Sequence, residues 1–310
     1  MDVRRTYIGV VLASALIVAF ESVAVEGALK IADLNIFLVS SMPSIIGGAL
    51  LLGLFPRGSR DCARSMGSRG WAGMIAISIL AAAGVFTWFD AVGRIGASKE
   101  AILGGGSSEV LFVVILSAVF LGERLRRWEI LGSFMIIIGV FLVLANADTL
   151  SFTLGLGEME AILSSLLLAV SIVMITMLLK SYNLTAISGL ELLISGSLLM
   201  IFGSVLGLVK WPDAMGLLLL VGLGAFPAIG LLTYNAGLPK IGASLTSVLF
   251  ALNGILTVGV QLLVLLVVPD ADIKLPQVLA LAVIGGMVAF GGVYLLNRDT
   301  ASKGIQKTGM

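Results

Sequence analysis

The chain contains no histidine, a single cysteine and few charges: 12% of its 310 residues are Asp, Glu, Lys or Arg. The absence of His removes His-based metal sites, haem ligation by His and His-dependent intramembrane hydrolases. Cys62 alone excludes an intrachain disulfide, and it sits in a basic stretch where nothing marks it as reactive. A soluble domain carries about 25% charged residues, so this surface cannot be a water-facing one. The net charge of +1 gives no basis for a nucleic-acid partner, and none is expected. No cofactor or metal is expected either.

What fills the chain is apolar. Hydrophobic residues make up 59% of it and the mean hydropathy is +1.13. The fold class that follows is an all-α integral membrane protein, with the lipid bilayer as its solvent. The 38 glycines suit a bundle whose helix backbones approach closely. Arg4-Arg5 before an apolar run resembles a signal peptide cut after Ala24. A retained first helix is the preferred reading, because the run continues past Glu21.

Apolar runs mark ten expected spans, at 7–28, 35–55, 71–92, 98–121, 129–146, 157–179, 185–208, 214–237, 242–268 and 276–296. Each is near the roughly 20 residues that cross the hydrocarbon core. The connections are short. Most bases fall at one set of ends: Arg4, Arg5, Arg57, Arg60, Arg64, Arg69, Arg124, Arg126, Arg127, Lys180, Lys240, Arg298, Lys303 and Lys307. The other set has Lys30, Arg94, Lys99, Lys210 and Lys274. Excess Lys and Arg stay cytoplasmic, which places both termini inside.

Parts of the chain recur in order. Ile95-Gly96-Ala97-Ser98 returns as Ile241-Gly242-Ala243-Ser244, Phe89-Asp90-Ala91 as Tyr234-Asn235-Ala236, and Arg94 as Lys240. Gly132 and Gly139 return as Gly285 and Gly292. With Ala289 they form small-residue faces on the fifth and tenth spans, which reads as helix packing. Two copies of five spans follow: 1–147, 155–297, and a cytoplasmic tail at 298–310. An odd number of spans per copy inverts the second copy across the membrane, an arrangement of secondary transporters with a site near the midplane.

At these residues the chain resembles the drug/metabolite transporter superfamily in its EamA-type, ten-helix form. The matching stretches are FDAVGRIGAS at Phe89–Ser98, Glu109-Val-Leu-Phe, FLGERL at Phe120–Leu125, and the following helix through IIIGVFLV. The resemblance implies two five-helix repeats, a central cavity, and alternating-access transport of small metabolites, often outward. It also implies a multi-pass protein of the inner (plasma) membrane. Val18-Ala19-Phe20-Glu21 replaces a Trp-Gly-Asn type signature, Val110 a proline, and Pro43-Ser44 lie near a missing arginine. Val268-Pro269-Asp270 stand where a second GER would be. These departures fall where substrate is read, so no subfamily's substrate carries over.

Charges at membrane depth are costly and mark function by default. The acids in or beside spans are Glu21, Glu26, Asp90, Glu109, Glu158, Glu160 and Glu191, and no base lies deep in any span. Glu109 is placed roughly 16 Å into its span at about 1.5 Å per residue. It follows Gly104-Gly105-Gly106-Ser107-Ser108, a run able to unwind and expose carbonyls to a cavity. Glu21 shares a helical face with Ser14 and Val18. Glu109, Glu21, Glu191, Ser107, Ser108, Tyr234, Asn253 and Trp88 are the candidates for binding substrate or a coupling proton. Packing and interhelical hydrogen bonds are the structural alternative for each. Asp90 and Arg94 form a gate or a simple i, i+4 ion pair. Glu26 snorkels or pairs with Lys30, and Glu158 and Glu160 suit a helix N-terminus.

Membrane acids without membrane bases point to a secondary transporter of small amines, amino acids or drugs, with possible proton coupling and a possible homodimer. An ion or solute channel of similar shape is the alternative, though unlike polar residues fit a pore poorly. An intramembrane lipid enzyme is a third reading, opposed by the lack of His.

Overall fold

In the computed structural model, placement is described for residues 3–30, 32–121 and 154–269, and for isolated positions and short runs within 128–142 and 273–295. The described residues are helical, with no strand among them. The elements are α1 (Val3–Lys30), α2 (Ile36–Leu54), α3 (Pro56–Ser65), α4 (Ser68–Ile95), α5 (Ala97–Leu103), a π turn (Gly104–Ser108) and α6 (Glu109–Phe120). They continue with α7 (Leu156–Leu178), α8 (Leu184–Val205), α9 (Ala214–Leu223), α10 (Ala225–Ile241), α11 (Ala243–Phe250) and α12 (Asn253–Val267).

Grouped by continuity, these make eight helical stretches long and apolar enough to cross a membrane. They are Thr6–Lys30, Ile36–Leu54, Ser68–Ile95, Ala97–Phe120, Leu156–Leu178, Leu184–Val205, Ala214–Ile241 and Ala243–Val267. The chain is a multi-pass membrane protein. Each stretch falls on one of the expected spans. The expected fifth and tenth spans, 129–146 and 276–296, lie largely outside the described residues. A short apolar helix occurs at Val283–Gly292. There an added Cβ at Gly139 would fall 2.5 Å from Gly285 O and 2.7 Å from Ala289 Cβ, so the small residues do meet.

The helix boundaries have local causes. Asn35 caps α2 by accepting from Phe37 N, and Asn183 caps α8 by accepting from Ala186 N. Gly96 ends α4 at φ 88° and Gly242 ends α10 at φ 89°, with ψ of 154° and 157°. That region is essentially open to glycine alone, so the repeated IGAS motif makes the same corner twice. The basic stretch after α2 differs from expectation. It is helical, because Pro56 starts α3 at its first turn and the apolar Cys62 and Met66 turn into the core.

Lipid is as apolar as Leu, so close packing rather than water exclusion holds such helices together. α8 presents Gly189, Gly196 and Gly203, seven residues apart, to α2. A Cβ at Gly196 would lie 2.7 Å from Ser41 O, and one at Gly203 would lie 2.8 Å from the Phe37 ring. α4 packs along α7 as α1 packs along α10, and α2 and α8 pack on each other. Hydroxyls inside the helices are satisfied locally: Ser22 donates to Val18 O at 2.9 Å, Ser165 to Ala161 O at 2.8 Å and Thr176 to Ile172 O at 2.8 Å.

Three spans are broken. Pro227 has no N–H for the carbonyl of Leu223, and the helix parts there into α9 and α10 around Gly224. The π turn interrupts Ala97–Phe120, and a turn at Ala251-Leu252 interrupts Ala243–Val267. These last two breaks touch. A Cβ at Gly106 would fall 3.3 Å from Ala251 O, and one at Gly254 would fall 3.1 Å from Ala101 O.

Candidate functional site

A cavity of about 150 Å³ lies among α1, α2, α4, α5, α6, α7, α8, α10 and the helix break before α12. Four glutamates line it: Glu21, Glu100, Glu109 and Glu191. Among the described residues, no Lys or Arg lines it. The rest of the wall is serine, asparagine, aliphatic and aromatic, with Trp88, Tyr234 and Phe250 among the rings.

Each acid has a distinct setting. Glu21 and Glu109 are both 5% exposed, and neither has a hydrogen-bond or ion-pair partner among the described residues. Ser14 and Val18, on the same face of α1 as Glu21, line the cavity with it, and Ser14 Oγ donates to Gly230 O at 2.8 Å. Glu191 sits beside Asn235, yet its Oε2 and the Asn235 Oδ1 are buried with no donor among the described residues. Asn235 Nδ2 donates instead to Ser188 Oγ at 3.0 Å. Glu100 accepts from the indole Nε1 of Trp88 at 2.7 Å. Its other oxygen lies so close to Gly104 that a Cβ there would overlap it.

The π turn explains how Glu100 and Glu109 reach one cavity. Nine residues at roughly 100° each put them on opposite faces of a regular helix. A π turn takes up one extra residue and brings them to within roughly 80° of each other. Glu109 shares the cavity wall with both Glu100 and Tyr234. Tyr234 Oη is 2.8 Å from Ser247 Oγ and its ring meets Phe250 edge-on at 4.9 Å. Asn253 opens α12 and accepts at Oδ1 from Thr257 Oγ1 at 3.0 Å.

Of the residues singled out from sequence, Glu109, Glu21, Glu191, Tyr234, Asn253 and Trp88 all line the cavity. Ser107 and Ser108 are buried but do not. Ser107 Oγ donates to Ile102 O at 2.6 Å, and its side chain faces a second, small cavity. Asp90 and Arg94 form the i, i+4 ion pair at 2.9 Å, and Arg94 also reaches Glu160 on α7 at 3.0 Å. Glu26 is fully buried rather than snorkelling. It pairs with Lys30 at 2.5 Å and accepts from Ala97 N at 3.1 Å and from Gln261 Nε2 at 2.5 Å.

Two features escaped the sequence reading. Glu100, two residues from a span's start and beside Lys99, has the signature of an interfacial charge. The signal for it was the triple glycine, which breaks the helical phase. Lys99 bonds Glu158 of α7 at 2.5 Å, a pairing that no local spacing reveals.

Residues 5–145 match the EamA-like transporter family. That match, over just under half of the chain, and the eight apolar helices support a membrane transporter of the drug/metabolite transporter kind. The match lies in the EamA-like branch, whose members are transporters rather than enzymes. No curated protein matches the chain. A solved crystal structure is similar in fold, with a TM-score of 0.68 at 20% identity, over 94% of this chain and 98% of the other.

Proposed function

We propose that the chain is a secondary transporter of small organic cations, working by alternating access around the central cavity. One observation carries this reading: four buried carboxyls face a single cavity that no base among the described residues lines. A zwitterion's carboxylate would find no Lys or Arg there, and several wall hydroxyls, such as those of Ser14 and Ser165, are already committed to carbonyls. That favours amines and cationic drugs over amino acids. Because Glu21 and Glu109 have no fixed partner, each is available to a substrate cation or a coupling proton in turn.

The reading includes ten spans in two inverted halves of 1–147 and 155–297, with both termini cytoplasmic and the protein in the plasma membrane as an exporter. Support comes from the paired caps at Asn35 and Asn183, the paired corners at Gly96 and Gly242, and the adjoining breaks in two spans. Broken helices of this kind border transporter sites.

Proteoliposomes loaded with an organic amine test it. Efflux should accelerate when the same amine is present outside, which a channel does not show, and should respond to a pH gradient. Glu109→Gln and Glu21→Gln should each lower the rate at least about tenfold, a loss of roughly 1.4 kcal/mol. Unchanged rates in both variants would remove these acids from the mechanism.

A further inference from the structure

The four carboxyls do not form a cluster. Among the described residues, no group of three or more acids is close enough to share one metal ion. They are spread along the depth of the cavity. At about 1.5 Å per residue, Glu100, Glu21, Glu109 and Glu191 fall roughly 5, 14, 17 and 21 Å from the Lys30 or Arg94 ends of their helices. A compact cation would meet one or two of them and leave the others buried without a counter-charge. Between the acids the wall is mainly apolar, with Val18, Val85, Leu168, Ile172 and Phe250, set among serines such as Ser14 and Ser165 whose hydroxyls are turned to backbone carbonyls.

A ligand that complements this wall alternates charge and hydrocarbon along its length. We propose that the preferred substrate is a linear polyamine, an aliphatic chain with ammonium groups separated by short methylene runs. This rests on the cation reading above and names its chemical class.

The two ends of the cavity are built differently. Glu100 is held in place: the Trp88 indole N–H fixes one oxygen, and Gly104 leaves room for the other. The indole beside it offers a face to an ammonium group. At the far end, Glu191 Oε2 and Asn235 Oδ1 are buried acceptors with no donor among the described residues. An ammonium has three donors and no acceptor, so it satisfies both atoms at once. Between these ends, the unpartnered Glu21 and Glu109, each 5% exposed and lining the cavity, take the remaining charge.

Binding to the purified, full-length protein in a neutral detergent tests this with three probes of increasing charge: butylamine, 1,4-diaminobutane and N-(3-aminopropyl)-1,4-diaminobutane. Each added ammonium should tighten Kd by about tenfold or more, the scale of one charge-assisted hydrogen bond. Glu100→Gln and, separately, Glu191→Gln should each erase the triamine's advantage over butylamine, reducing the ratio of their Kd values to within about twofold. Two variants at opposite ends are used, so misfolding of one leaves the other to decide.

If butylamine binds but the triamine binds no tighter, the polyamine assignment is overturned and the cation reading stands. If the triamine's advantage survives both substitutions, the assignment of its end groups to Glu100 and Glu191 is overturned. If no amine binds to folded protein, both readings fall together.

Discussion

Gln261 Nε2 donates to Glu26 Oε2 at 2.5 Å across 235 residues of sequence. The same carboxylate holds Lys30 at 2.5 Å and accepts from the backbone N–H of Ala97 at 3.1 Å. One fully buried acid thus joins α1, the first residue of α5 and α12. Breaking a buried pair by removing one partner is far costlier than the pair is worth, because the remaining charge stays buried. Glu26→Ala should therefore destabilise the protein by about 3–5 kcal/mol. Glu26→Gln should cost less, since its amide oxygen still accepts from Ala97 or Gln261. Reversible unfolding by dodecyl sulfate in mixed micelles measures both. Equal losses would show that charge is irrelevant at this junction.

The ion pairs at the Arg94 end join the two parts of the chain. Lys99–Glu158 is well shielded, with side chains 20% and 10% exposed, whereas Arg94 is 45% exposed. Lys99→Glu should therefore destabilise more than Arg94→Glu. The exchange Lys99→Glu with Glu158→Lys should recover much of the loss, with a coupling of about 1 kcal/mol. A double-mutant cycle in the same micelles gives that number, and a coupling of zero would mean that the pair is only incidental.

Gly196 has no room for a side chain. A Cβ would meet Ser41 O at 2.7 Å and Ile45 N at 2.9 Å, both backbone atoms that cannot step aside. Gly196→Val should push α8 from α2 and cost about 1–3 kcal/mol. Gly9, with nothing within 4 Å of its Cβ position, is the control. Gly9→Ala should be neutral or stabilising by up to about 1 kcal/mol. The contrast between the two in apparent melting temperature checks the packing of α2 on α8.

Gly242 also has open space around its Cβ position, but its φ is +89°. Gly242→Ala should thus cost about 1–3 kcal/mol through backbone strain alone. Gly96→Ala, at the matching corner, should carry the same strain. If Gly242→Ala unfolds at the parent's denaturant concentration, the corner does not need its positive φ.

How much of this was legible in the sequence depended on the range of the interaction. The face shared by Ser14, Val18 and Glu21 was readable because all three lie on one regular helix. So was Asp90–Arg94, a single-turn pair. The meeting of Gly139 with Gly285 and Ala289 was readable because small residues recur in order. Glu109 stood out as an acid deep in an apolar run. Glu100 was hidden for a physical reason: on an unbroken helix it points away from Glu109, and only the π turn reverses that. Of the two readings for Glu26, pairing with Lys30 was readable as a one-turn spacing, but its burial and its bond to Gln261 depend on how α12 lies against α1. Lys99–Glu158 likewise joins residues that no periodicity relates. Ser107 shows the converse error, a polar residue beside the key acid that turns inward to its own backbone.

The paired bases at the Arg94 end have a consequence for arrival rather than for holding. Lys30, Arg94 and Lys99 are matched there by Glu26, Asp90, Glu158 and Glu160, each base within 3.0 Å of an acid. Their fields largely cancel beyond a Debye length, about 8 Å in physiological salt. A positively charged molecule diffusing towards that end therefore meets little repulsion from these three bases. Its rate of entry should then depend only weakly on ionic strength, while an anion gains no attraction to draw it in. These three bases are quiet by neutralisation, and the sorting of charge is left to the cavity.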